Sequence, residues 1–131
     1  MLAVLCPGAC GGCHGLCPGD GAARLDFVPS LALAECNLER FTAAIAHADR
    51  ALRLADTGGR ALMLPVLHAV RGLANAHLGR IDAALADTAT AYEASLLTGS
   101  AWTASAARGL SSWLHIWTGD LDVALAHADE A

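Results

Sequence analysis

Four cysteines and a histidine near the start of the chain have the residue types that are most typical of metal or redox chemistry. Cys6, Cys10, Cys13 and Cys17 lie within twelve residues, with His14 among them. Thiolates and imidazoles bind zinc, and four thiolates can hold an iron–sulfur cluster. The spacing C-x3-C-x2-C-x3-C differs, however, from that of zinc ribbons and ferredoxins. These cysteines are therefore weak candidates for metal ligands. A small metal or redox protein built around them ranks third among our functional hypotheses, after the two binding proteins described below.

The same spacing also has a structural interpretation, which we favour. Steps of four, three and four would place the sulfurs on one side of a helix, where they act as small core residues, as we expect of Cys36. The many glycines of residues 1–22 favour a weak helix or a poorly ordered segment. We expect no cofactor and no disulfide framework in this chain.

A second candidate site is a polar stripe, whose members follow one another at helical spacings of three and four. Such residues share one face of a helix. Two arginines and two histidines on that face could bind a carboxylate, a phosphate or an acidic peptide. The plainer interpretation, a solvated helix face, is the one we favour. The stripe consists of Glu35, then His68, Arg71 and Asn75, then Arg108, Ser111 or Ser112, and His115.

No arrangement of residues predicts catalysis. An H-x-D pair occurs at residues 47–49 and again at 127–129. Residues two apart on a helix point about 200° away from each other, so such a pair cannot chelate one ion, and we expect both pairs to be exposed. Asp87 or Glu93 would need a nearby nucleophile or activated water to act as a general base. We therefore expect a protein that is not an enzyme.

The elements that must position these residues repeat along the chain. Three similar stretches begin forty residues apart, FTAAIAHADRA at 41–51, IDAALADTATA at 81–91 and LDVALAHADEA at 121–131. Small residues recur at positions 32, 72 and 112 and at 44, 84 and 124, which would let paired helices approach closely. A repeat of this size is typical of helical hairpins that are stable only when stacked, and such stacks bind partners along an extended surface.

The predicted class is all-α, with antiparallel hairpins stacked as a right-handed solenoid in residues 23–131. Glycines near 58 and 99 separate hairpins at about 23–57, 60–98 and 100–131, and glycines 79 and 119 divide the second and third hairpins into their two helices. The first helix of each hairpin should line the inner curve. The third hairpin stops at the equivalent of residue 51, so we expect a truncated repeat with an exposed apolar face that allows self-association. The three tryptophans, at 102, 113 and 117, should lie in the core.

Composition narrows the function further. Apolar residues make up 55% of the chain and charged residues 16%, which predicts a folded unit. The chain contains no lysine, which excludes a P-loop, and a net charge of −5 without a basic run argues against nucleic-acid binding. No segment resembles a membrane span or a signal peptide, so we expect a cytoplasmic protein without a membrane partner.

Residues 26–131 resemble the tetratricopeptide-like region of large LuxR-type (MalT-like) transcriptional regulators. The resemblance is carried by three segments, LALAECNLERFTAAIAHADRAL at 31–52, GLANAHLGRIDAALADTATAYEAS at 72–95 and WLHIWTGDLDVALAHADEA at 113–131. The positions that match the glycine and small-residue pattern of the tetratricopeptide are Gly72, Gly79, Ala84 and Ala91.

Two positions depart from the tetratricopeptide pattern, because Arg71 replaces a leucine and Asn75 an aromatic residue. The resemblance implies a non-catalytic sensor or oligomerisation arm of a larger regulator, which binds a protein, a peptide or a small inducer. No residue matches the ATP-binding or helix-turn-helix motifs of that family. A freestanding adaptor that binds another protein's peptide is the alternative.

Overall fold

A computed structural model describes residues 28–58 and 61–131 of the chain. The described part contains six α-helices and no strand, so the predicted all-α class is confirmed. The cysteine-rich segment 1–22 and the first residues of the predicted first hairpin lie outside it. The helices are α1 (Val28–Asn37), α2 (Phe41–Gly58), α3 (Leu64–His77), α4 (Ile81–Thr98), α5 (Ala101–Thr118) and α6 (Leu121–Asp129), with a 3-10 turn at Ala61–Met63 before α3.

The turn within each helix pair has the same left-handed geometry. Glu39, Gly79 and Gly119 have φ angles of 58°, 72° and 87°. In each turn the next backbone N–H donates to a carbonyl five residues earlier, over 2.8 Å at Arg40 and 2.9 Å at Arg80 and Asp120. This bond satisfies a carbonyl at the end of the first helix. Only the first turn forces a residue with a Cβ into this conformation.

Small residues allow the paired helices to approach closely, as the sequence predicted. Ala44, Ala84 and Ala124 are buried, at 0%, 0% and 4% exposure, on the second helix of each pair. On the first helices, Ala32, Gly72 and Ser112 are buried as well. A Cβ placed on Gly72 would lie 3.2 Å from the Cβ of Asp87 and 3.3 Å from a methyl of Thr88. A side chain there would therefore have to push the opposing atoms of α4 away by a few tenths of an ångström.

Consecutive helices pack on each other, and α3 also contacts both α1 and α5. Two apolar clusters lie where one helix pair meets the next. One joins Ala44 and Ile45 of α2 to Val70 and Leu73 of α3. The other joins the equivalent part of α4 to α5 and contains Ala84, Leu85, Leu110, Trp113 and Leu114. The core therefore runs along the row of helices.

Two of the three tryptophans are not in the core, so that prediction was wrong for them. Trp102 is 74% exposed and Trp117 is 54% exposed. Trp102 is the second residue of α5, and Trp117 lies in the last turn of that helix, so both stand near its ends, and neither belongs to the apolar cluster that joins α4 to α5. Trp113 is half-buried and packs on Trp117 with ring centroids 4.1 Å apart.

None of the described helices has the length and apolar character needed to cross a lipid bilayer.

Replacing Glu39 by glycine should stabilise the protein by about 0.5–1 kcal/mol, because glycine adopts a positive φ without the steric cost that a Cβ brings. The same reasoning predicts that Gly79→Ala destabilises it. Urea denaturation followed by circular dichroism would measure both changes. Equal effects of both substitutions would contradict the assignment of strain to the first turn.

Gly72 and Gly109 offer a matched test of the close helix approach, because both lie inside helices but a Cβ on Gly109 meets nothing within 4 Å. Gly109→Ala should stabilise the fold by about 0.5–1 kcal/mol through helix propensity. Gly72→Ala should lose about 1 kcal/mol, since the opposing atoms lie on or next to the backbone of α4 and cannot move away independently. Thermal melting distinguishes the two, and a stabilising Gly72→Ala would show that the helices separate easily.

Candidate functional site

The polar residues of the second helix pair converge on one carboxylate, that of Asp87 in α4. From α3, Arg71 donates through Nη2 to Oδ1 at 2.6 Å and through Nε to Oδ1 and Oδ2 at 3.1 and 3.0 Å. Asn75 Nδ2 donates to Oδ2 at 3.1 Å, and His68 Nδ1 lies 3.2 Å from Oδ1. Together with Asp49, these residues form what we call the Asp87 cluster.

Burial and hydrogen bonding shift the pKa of the Asp87 carboxyl in opposite directions. Its side chain is only 8% exposed, and this burial by itself raises the pKa of the carboxyl. Hydrogen bonds and charge from His68 and Arg71 outweigh burial, so the pKa of Asp87 lies below its usual range. The hydrogen bond to Asp87 is also the main cause of a raised pKa at Arg71. Asp87 is therefore ionised at neutral pH and bound on both oxygens.

Arg71 also links this helix pair to the preceding one. Its Nη1 donates to Oδ1 of Asp49 in α2 at 2.6 Å. The guanidinium thus binds two carboxylates of its own chain. These residues border an open groove of about 310 Å³ between α2 and α4, with α3 as its floor and Ile45, Ala83 and Ala86 as its apolar lining. The groove therefore contains two carboxylates and one guanidinium that is already paired.

The equivalent positions of the third helix pair form a second polar cluster with different partners. Ser111 Oγ and His127 Nδ1 are 2.9 Å apart, and the rings of His115 and His127 meet edge to face at 5.3 Å. Arg108 lies 2.7 Å from a carboxylate oxygen of Glu130 and 3.7 Å over the ring of Tyr92 in α4. Burial is the main cause of the lowered pKa of His127, followed by the positive charges of Arg108 and His115.

Ser112 does not belong to this polar cluster, although the sequence placed it in the stripe. Its hydroxyl donates to the backbone carbonyl of Ala124 at 2.7 Å and is buried between α5 and α6. Ser112 stands at the position of Gly72, where the paired helices are closest. The neighbouring Ser111 therefore takes the stripe position. In the first pair, Glu35 is half-buried and one of its carboxylate oxygens lies 3.6 Å from Arg40.

The predicted stripe therefore does not line a solvated inner face. On α3 and α5 it points towards the second helix of its own pair, because helices in the middle of a row have neighbours on several sides. The expectation that both H-x-D pairs are exposed was wrong for His47, Asp49 and His127, which are half-buried, and right for Asp129. His47, Asp87 and His127 occupy equivalent positions, and of these Asp87 and His127 contact residues of the stripe.

The Ser111–His127 contact has the distance of a nucleophile and its base, but its surroundings do not fit acyl transfer. Ser111 lies inside α5, where backbone N–H groups are bonded within the helix and cannot form an oxyanion hole. The Cys36 thiol is buried, which raises its pKa and makes it a poor nucleophile. Asp87 has no hydrogen-bonded hydroxyl or thiol partner among the described residues.

Metal ligation has no candidate in the described part of the chain. No group of three or more histidine, cysteine, aspartate or glutamate side chains there has the geometry to hold an ion. The four weak candidates Cys6, Cys10, Cys13 and Cys17 lie outside the described residues, so the metal or redox hypothesis stays a prediction.

Sequence reasoning found the donors of the Asp87 cluster and missed both acceptors. Asp87 was considered only as a general base, and Asp49 only as part of an exposed pair. One signal was available, because positions 47, 87 and 127 carry a polar residue in every copy, three residues after the buried small position. On a helix, that spacing keeps a residue on the packed face.

Comparison with known proteins assigns no relative to this architecture. None of the known family models, curated proteins or solved structures gives a significant match to the chain. Functional inference therefore rests on the geometry of the described residues.

Asp87→Asn should destabilise the protein by about 2–3 kcal/mol at pH 7, because Arg71 and Asn75 lose a charged acceptor. The folded-state pKa of Asp87 is depressed, so its contribution is present above the unfolded pKa of about 3.9 and is lost as pH falls below it. The difference in urea midpoint between wild type and Asp87→Asn should therefore be constant well above pH 4 and should narrow progressively as pH falls below about 4. The half-buried Asp49→Asn is the control, with a loss under about 1 kcal/mol. A difference at Asp87 that fails to narrow, or that widens, as pH falls below about 4 would contradict the assignment.

Proposed function

We propose that the chain is a non-catalytic helical-repeat module that binds or scaffolds partners, built from tetratricopeptide-like hairpins stacked in a right-handed solenoid. The observation that carries this proposal is the matching burial of equivalent positions. The small residues on the paired helices are buried in all three pairs, and the three turns share one geometry. A chain of near-identical units in contact only with their neighbours is the architecture of repeat proteins.

The helix contacts support the same arrangement. The first helices α1, α3 and α5 contact one another in sequence, while α2 and α4 each pack on the first helices before and after them, and α6 packs on α5. In a stack of hairpins, this contact pattern places the first helices on one side and the second helices on the other. Extended surfaces of this kind serve partner recognition.

The charged groups of the described residues favour a structural role for the polar stripe. Arg71 is paired with both Asp49 and Asp87, and Arg108 lies against Glu130 and Tyr92. The chemistry that we predicted for an acidic ligand is therefore provided largely by the chain itself. Exposed apolar side chains are the better candidates for partner contact, because burial of such surface drives most protein association.

Within this class, we propose an origin in the sensor or oligomerisation arm of a LuxR-type transcriptional regulator. The support is the resemblance of three segments of the chain to that region, together with an all-helical fold. In such a protein, the arm would respond to an inducer or partner and relay its binding to separate ATP-binding and DNA-binding modules.

A freestanding adaptor is the second candidate, favoured by a different observation. Leu62, in the 3-10 turn just before α3, and Trp102, the second residue of α5, are forty residues apart and are 76% and 74% exposed. Large apolar residues repeated at one edge of a stack are suited to an extended peptide that follows the repeats.

The genomic sequence on both sides of this coding segment tests the regulator assignment. We expect an ATP-binding module on the amino-terminal side and a helix-turn-helix on the carboxyl-terminal side, in the same reading frame. A reading frame with neither module would contradict the regulator assignment and leave the adaptor.

A further inference from the structure

The groove between α2 and α4 lies where the first helix pair meets the second, and its apolar walls are low. They consist of Ala83 and Ala86 on α4 and Ile45 on α2. Both alanines are exposed, so a molecule can reach the floor of the groove without displacing a large side chain. The volume of about 310 Å³ is at the lower end of the range that is typical of binding pockets. The groove is therefore large enough for one extended side chain of a partner.

The charged residues that line this groove leave it with one negative charge. Two carboxylates, those of Asp49 and Asp87, face the single guanidinium of Arg71. Each carboxylate holds that guanidinium at 2.6 Å, so the positive charge is already paired on two sides. Charge complementarity therefore favours a cation in the groove and opposes the carboxylate or phosphate that the sequence suggested.

Two unused hydrogen-bonding atoms in the groove are acceptors. Asn75 is only 6% exposed, and because its Nδ2 donates to Asp87, its amide oxygen points away from that carboxylate. No described residue donates to this oxygen, which is not fully buried. Oδ2 of Asp49 also has no donor among the described residues, since Arg71 binds Oδ1. A fitting ligand must therefore donate hydrogen bonds as well as carry positive charge.

Among the cations of proteins, an ammonium group fits these atoms better than a guanidinium. A guanidinium binds a carboxylate best through two parallel N–H groups, which need both oxygens of that carboxylate. Both oxygens of Asp87 are already bonded, and Arg71 occupies one oxygen of Asp49. An ammonium group is a compact charge with three N–H donors, and the alkyl chain that carries it packs well on apolar walls.

We propose that this groove binds a lysine side chain of a partner protein. The ammonium group donates to Oδ2 of Asp49 and to the amide oxygen of Asn75, while the alkyl chain lies against Ala83 and Ala86. The groove is open along one side, so a free alkylamine stays partly in water there, whereas the backbone of a partner covers that side. This inference rests on the partner-binding part of the proposed function and is independent of the regulator assignment.

The test is an NMR titration of the ¹⁵N-labelled full chain with a blocked heptapeptide that carries one central lysine among alanines. Saturable shifts should appear at the backbone amides of Ile45, Ala83 and Ala86. The same peptide with a central arginine should bind about threefold more weakly, because no carboxylate offers both oxygens. A central glutamate should abolish the shifts. Butylammonium chloride should also bind at least about threefold more weakly than the lysine peptide, because it leaves the open side of the groove uncovered.

Two substitutions with matched controls locate the site. Asp49→Asn should weaken binding of the lysine peptide about fivefold, because it removes the charge that pairs with the ammonium group. Asp122→Asn makes the same change on an exposed residue of α6 and should alter the affinity less than about twofold. Ala86→Leu should fill the groove and weaken binding about fivefold, whereas Ala89→Leu, at an exposed alanine of α4 outside the lining, should not. Circular dichroism checks that each variant is folded.

Absence of saturable shifts in a folded chain would overturn the lysine site, as would binding that Asp49→Asn or Ala86→Leu leaves unchanged. Equal affinity for the arginine or glutamate peptide would overturn the choice of an ammonium group. Equal affinity for butylammonium would overturn the choice of a partner protein, because a free amine would then be the occupant. Each of these failures leaves the genomic test and the exposed apolar residues untouched, so it is distinguishable from a failure of the proposed function.

Discussion

The fold depends on an ionised carboxylate buried where three helices meet. Removing Asp87 from water is costly unless its charge is balanced and its lone pairs are bonded. Arg71, Asn75 and His68 meet both needs, and the second arm of Arg71 reaches Asp49 on the preceding helix pair. One guanidinium therefore fixes the position of α4 on α3 and of α3 on α2. As a consequence, the guanidinium of Arg71 is already paired with two carboxylates of the chain and is not available to an anion from outside.

Close helix packing makes this arrangement possible. Gly72 and Ala84 bring the backbones of α3 and α4 near enough for the side chains of α3 to reach Asp87 directly. In the third pair, Ser112 fills the place of Gly72 and bonds the carbonyl of Ala124. In the third pair, the residue at the position of Asp87 is His127, so an imidazole takes the place of the carboxylate. The same backbone arrangement thus accepts an ion pair in one unit and neutral hydrogen bonds in another.

Stacking also determines which apolar surface is left for partners. Each helix pair covers an apolar face of the one before it, and α6 carries that face with no cover in the described structure. Under the proposed function, the exposed apolar residues Leu62 and Trp102 are better candidates for partner contact than the polar stripe, whose arginines are paired within the chain.

The sequence by itself determined the helices, their turns and the small buried positions, because these follow from local spacing and from residue size. Glycine at 79 and 119 and alanine at 44, 84 and 124 could be assigned from the repeat alone. Only the tertiary structure decided that the stripe faces inward, that Asp49 and Asp87 are its acceptors, that Ser111 and not Ser112 meets His127, and that Trp102 and Trp117 are exposed. These outcomes depend on how neighbouring helices surround each face, and residues twelve to twenty-two apart in sequence come into contact only when the helices pack.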